Sequence, residues 1–139
     1  MNRFYLIILA CCCSLLCACG NILYNAKTGN IDQINKSLDM GVSIESKGPT
    51  GCTPLIVAAY SGNTEAVDLL CKRGANVDAQ ADNGSTALIN ATYYNFYDVA
   101  KILMKYNADK TIKDIHGNTA YDYASQYEYT RLINLLGDE

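Results

Sequence analysis

The sequence is poor in the side chains that carry out chemistry. It has one histidine, His116, in 139 residues, and no pair of carboxylates stands in a register suited to general acid and base work. No Cys/His spacing fits a zinc site, and no glycine-rich loop follows a strand to cradle a phosphate. The formal net charge is −3. The basic residues are spread along the chain, which excludes the stripe or patch of a nucleic-acid binder. Apolar runs are also scarce. The one long run, Phe4 to Leu16, falls short of the roughly 20 residues that a membrane span needs. These absences argue against an enzyme, a metal or organic cofactor, and a small-molecule substrate.

What the chain does have is self-similarity. Gly51, Gly84 and Gly117 follow one another at 33-residue steps. Thr53, Thr86 and Thr119 keep the same step, as do Ala58, Ala91 and Ala124. Gly29 aligns with Gly62, Gly41 with Gly74, and Ile34 with Val67, Ala100 and Ile133. So many columns in one register mark a repeat protein.

One unit reads as a helical hairpin followed by an extended segment. Thr53 can cap a helix with its hydroxyl, and Pro54 suits the first helical position, where no amide partner is needed. Leu55, Ala58 and Ala59 give an apolar stripe with small residues for close helix contact. Gly62 ends that helix. A second helix runs from Thr64 to Lys72 and ends at Gly74, and Ala75–Asn83 forms a turn-rich finger. The next unit reads Thr86–Tyr93 and Tyr97–Lys105, with Asn95 and Asn107 in glycine columns, where Asn tolerates a left-handed backbone. The last reads Thr119–Gln126 and Tyr129–Leu136, with Tyr121 and Tyr123 as core. The first has Ile22, Leu23 and Ala26 in one helix and Ile31, Ile34 and Leu38 in the other.

Gly51-Cys52-Thr53-Pro54-Leu55 resembles the G-x-T-P-L-H opening of the ankyrin repeat family, with Ile56 in place of His. Gly74-Ala75-Asn76-Val77-Asp78 resembles the family's G-A-D-V-N segment. The resemblance implies an all-α fold: a solenoid of stacked helix–turn–helix units with β-turn or hairpin fingers, about four repeats. They are expected over residues 21–47, 48–80, 81–113 and 114–136, within a domain of residues 21–139. Each unit exposes apolar surface on two sides and must stack on its neighbours.

The amino terminus is set apart. Asn2-Arg3 and the apolar run after it have the layout of an export signal, expected over residues 1–18. Leu16-Cys17-Ala18-Cys19 resembles a bacterial lipobox. This implies cleavage after Ala18, lipid on the Cys19 thiol, and a very short tether at residues 19–20. Gly20 after the Cys favours an outer membrane. Two alternatives stay open: cleavage near Ala18 without lipid, giving a secreted or periplasmic form, and modification at Cys11. Five of the seven cysteines fall in this segment. Cys52 and Cys71 either pair within their hairpin or stay apart, with Cys71 acting as a small core residue.

The family resemblance implies that another protein docks on the side formed by fingers and first helices. Carried over by column, the exposed helix positions are Tyr60 and Ser61, Tyr93 and Tyr94, and Gln126 and Tyr127. The finger tips are Pro49 and Thr50, Asp82 and Asn83, and Ile115 and His116. Tyr60, Tyr93, Tyr94 and Tyr127 are the candidate anchors, because a tyrosine ring offers large contact area at low entropic cost. The other reading is that tyrosine is simply abundant here, 11 residues in all, and that these rings are ordinary surface. The chain is expected to be a monomer. The expected partner is another envelope protein; the alternatives are a toxin or hydrolase that it neutralises, and a host factor.

Overall fold

A threonine starts the first helix of each of the last three repeats. The Thr53 hydroxyl accepts from the Ile56 amide, Thr86 from Ile89, and Thr119 from Asp122. The Asp122 carboxylate reaches back to the Thr119 amide at 2.8 Å, completing a capping box. Because a cap residue has an extended backbone, these helices begin one residue later than the sequence pattern indicates, at Ala87 and Ala120.

The computed structural model describes residues 22–137. The signal segment, Cys11 and Cys19 lie outside the described residues. Eight helices follow in order: α1 (22–28), α2 (Ile31–Asp39), α3 (Pro54–Tyr60), α4 (Thr64–Lys72), α5 (Ala87–Tyr93), α6 (Tyr97–Lys105), α7 (Ala120–Gln126) and α8 (Thr130–Gly137). The described residues contain no strand, and none of their helices is long and apolar enough to cross a membrane.

First helices pack on first helices, α3 on α5 and α5 on α7, and second helices pack on second helices, α2 on α4, α4 on α6 and α6 on α8. The chain is therefore an ankyrin-type solenoid of helical hairpins. The core is one continuous file: Leu55, Leu88, Val67, Val99, Leu70, Leu103, Leu132 and Leu136 are all at most 2 % exposed. The fingers also meet edge to edge. The Asp82 amide donates to Thr50 O and the Ile115 amide to Asn83 O, each at 3.1 Å, so the same bond recurs one repeat later.

Two sequence expectations need correction. Tyr121 shares a column with Leu55 and Leu88, which are 1 % exposed, yet it is 42 % exposed. That column is covered by the following repeat, and no described residue forms a layer beyond α7 and α8. Tyr123 is buried as expected. The final helix spans Thr130–Gly137, one residue later than the pattern placed it. Cys52 and Cys71 are free thiols.

The turns between paired helices need a left-handed residue. Gly62 supplies one at φ 71°, and a Cβ there would stand 2.9 Å from the Phe96 ring of the next repeat. The same column holds Asn95 at φ 60° and Glu128 at φ 56°. Asn meets this demand with its short polar side chain; Glu does so at a cost. Gly62→Ala is expected to lower unfolding free energy by about 2 kcal/mol, through backbone strain and the aromatic clash. Glu128→Gly is expected to raise it by about 1 kcal/mol. Urea unfolding measures both, and opposite signs in one column are the expected result.

Candidate functional site: a ladder of tyrosines beside a groove

The first helices end at equivalent points, so their last residues project at the same level of successive layers. Tyr60 is the last residue of α3 and Tyr93 of α5; Tyr94 and Tyr127 are the C-caps of α5 and α7. Their rings meet. Tyr60 contacts Tyr94 with centroids 4.8 Å apart and planes at 74°. Tyr94 contacts Tyr93 at 5.0 Å, and Tyr93 contacts Tyr127 at 5.6 Å and 89°. This edge-to-face arrangement sets the positive edge of one ring on the negative face of the next. The four candidate anchors thus form a single string across three repeats, and each stays 40–49 % exposed.

Three further aromatics extend the string, and the column argument had not placed them in the site. Tyr123 lies 5.4 Å from Tyr93, Tyr129 lies 5.7 Å from Tyr127, and Phe96 lies 6.2 Å from Tyr94. Phe96 and Tyr129 share a 33-residue column with Asn63, so two aromatics at one repeat position were the available signal. Tyr123 had been assigned to the core alone. Its hydroxyl donates to Asp114 Oδ2 at 2.6 Å, tying the fourth first helix to its own finger.

Beside the ladder, between fingers and first helices, lies a groove of about 590 Å³. Ile56 and Val57 give its apolar surface, and Lys27, Thr50, Asn90, Tyr60, Asp82 and Asn83 border it. Of the candidate residues, Tyr60, Asp82 and Asn83 therefore line the groove, and Tyr60 joins it to the ladder. Asn83 also shapes its fingertip, where its Oδ1 accepts from the Ser85 amide and hydroxyl. The structure does not bring the remaining three to the ladder. Ser61 is the half-buried C-cap of α3. Gln126 is exposed at the end of α7. His116 is exposed on its fingertip, where its amide donates to Asp114 Oδ1.

The electrostatics of the string follow from its own contacts. The facing Tyr60 hydroxyl, together with burial and the nearby Tyr93, pushes the Tyr94 phenol up to about 12. Tyr93 raises Tyr127 in the same way, and the Asp114 carboxylate raises Tyr123. Burial alone would raise Asp114, but the Tyr123 hydroxyl and the Asn118 and His116 amides hold it below the usual carboxylate range. Burial pushes the Cys71 thiol up to about 11, so it stays protonated and unreactive at neutral pH. Among the described residues no group of three metal-ligating side chains converges. The side chains exposed here offer ring faces, hydroxyls and amides.

A raised phenol pKa means that the folded chain holds its proton more tightly than the unfolded chain. The stabilisation from Tyr94 is complete below the ordinary value of 10.0 and is lost as pH rises from there through about 12. The urea midpoint should accordingly fall across that window. Tyr94→Phe should fall less steeply than the parent chain, with phenolate absorbance showing one fewer late-titrating group. Parallel slopes would show that Tyr94 has no such coupling.

Comparison with curated proteins finds no match. Comparison with family models finds one described as ankyrin repeats, in three copies, over residues 22–114. This stretch runs from α1 to the finger after α6, and α7 and α8 stack on it as a further helical pair. With the repeat register, the stacked hairpins and this match in agreement, the chain belongs to the ankyrin repeat family.

Proposed function

We propose that this chain is a non-enzymatic binding protein that docks another protein on the side formed by its fingers and first helices. The observation that carries the reading is the tyrosine string from Tyr60 to Tyr127. These are large rings held rigid against one another, and their outer faces remain open. Rigid aromatic anchors lose little entropy on binding and commonly dominate interface energy. Tyr60, Tyr93, Tyr94 and Tyr127 are the anchors; Asp82 and Asn83, at the lip of the groove, are the polar contacts that orient the partner. Membership in a family whose repeats generally bind other proteins supports the same reading.

We further propose that the mature chain is exported and anchored through lipid on Cys19, on the strength of the Leu16-Cys17-Ala18-Cys19 sequence. Acyl chains contribute about 0.8 kcal/mol per buried CH₂, so more than one chain gives a stable anchor. Since the first helix is under way by residue 22, the solenoid would sit close to the membrane, with its partner in the same envelope compartment.

Two experiments test these readings separately. A photo-crosslinking residue placed at position 60 or 93 should capture a partner in the native cell, whereas one at the exposed Lys101 on α6 should not. Equal capture from all three positions would remove the proposed face. Cys19→Ser should abolish incorporation of labelled palmitate and release the protein from membranes; labelling that persists would refute the anchor.

A further inference from the structure

The closest pair in the tyrosine string has a geometry suited to covalent chemistry. The Tyr60 and Tyr94 ring centres are 4.8 Å apart, little more than the separation of two directly joined rings. The planes meet at 74°, edge to face, so the edge of one ring lies directly against the other ring. Both side chains are open to solvent, 49 % and 41 % exposed. They belong to different repeats, so a bond between them would tie two layers.

The other tyrosines lack this combination. Tyr123 is buried and its hydroxyl is held by Asp114. The Tyr106 hydroxyl is held by Asp68. Arg131 covers the Tyr97 ring at 3.8 Å. Tyr24 and Tyr121 are well exposed, but neither has a ring beside it among the described residues. Tyr93 and Tyr94 are exposed and 5.0 Å apart but lie in one repeat, and Tyr93 and Tyr127 stand farther apart, at 5.6 Å.

We infer that Tyr60 and Tyr94 form a modification site at which a one-electron oxidant of the haem peroxidase class, supplied with hydrogen peroxide, joins the second and third repeats through a dityrosine bond. Each phenol loses one electron and its hydroxyl proton to give a phenoxyl radical. The two radicals pair through the ring carbons adjacent to oxygen, forming one C–C bond. The hydrogen on each of those carbons leaves as a proton, and each oxygen regains one, so both phenols are restored. The protein has lost two electrons and two protons overall. Hydrogen peroxide accepts both, its O–O bond breaks, and two waters form. The inference rests on ring geometry alone and does not depend on the binding role proposed above.

The product would stabilise the stack. The bond closes a loop of about 34 residues and so restricts the unfolded chain much as a disulfide of that span does. It would also fix the relative position of two layers that otherwise meet only through non-covalent contacts.

The test uses the full chain, dilute and monomeric, with a haem peroxidase and one equivalent of hydrogen peroxide. Expected is a monomer lighter by two hydrogen atoms, with dityrosine fluorescence and a cross-linked peptide pair containing Tyr60 and Tyr94. Its melting temperature should be higher than that of the untreated chain by several degrees. Tyr60→Phe and Tyr94→Phe keep the rings and the fold, and each should abolish that product, whereas Tyr121→Phe should leave it unchanged. Cross-links that run mainly between molecules through Tyr24 or Tyr121, or an undiminished yield in Tyr60→Phe, would overturn the assignment.

Discussion

No helical pair in this chain can cover its own apolar surface, and the contact between successive layers makes good the deficit. Val67, Leu70, Val99 and Leu103 lie on second helices whose inward faces meet the next second helix. Fully burying a side chain of this size stabilises by about 1.5–3 kcal/mol. The polar bonds between layers are weaker individually but periodic. The Asn76 amide donates to Glu45 and the Asp109 amide to Asp78, at 2.7 and 2.8 Å. Asn63 donates from its side chain to Ala26 O and Lys27 O at the end of the preceding first helix. Arg73 reaches back to Asn35 and Asp39, and Tyr106 to Asp68. Apolar burial supplies most of the stability, while these bonds fix how far one layer is rotated and shifted on the last.

The tyrosine string is a product of the same stacking. Tyr60 meets Tyr94 and Tyr93 meets Tyr127, each contact crossing one layer boundary. Such pairs contribute about 0.5–1.5 kcal/mol beyond the area they bury. The rings are therefore surface and scaffold at once, and truncating them to alanine would cost stability as well as contact area. A partner docking here would meet rings already held in place, which lowers the entropic cost of binding. The groove beside them depends on the layers too, because its walls come from α1, the fingers and the first helices α3 and α5.

Solenoids of this kind carry no chemistry in the fold itself; what they bind depends on the side chains they set in line. Here the line is aromatic and hydroxylated, bordered by one lysine and one aspartate at the groove. In the proposed binding role, that composition would supply contact area and hydrogen bonding, with little long-range steering by charge.

Much of this was readable before any coordinates. The glycine, threonine and alanine columns at 33-residue steps gave the repeat, the caps and the helix pairs, because capping and left-handed turns depend on residues close in sequence. The left-handed backbone at Asn95 and Asn107 followed from the same columns, and the choice of Tyr60, Tyr93, Tyr94 and Tyr127 as exposed positions agreed with the structure. Glu128 took a left-handed turn that its residue type would not foretell, at the position that Gly62 and Asn95 hold in the earlier repeats. Tyr121 came out exposed although its column was core, because burial there depends on the layer that follows. The joining of Phe96, Tyr123 and Tyr129 to the string, and the separation of Ser61, Gln126 and His116 from it, were likewise invisible in one dimension. Local sequence determined the repeat unit and its turns, since those energies act within a few residues. Which rings touch, and which faces stay open, was decided only by the stacking of units 33 residues apart.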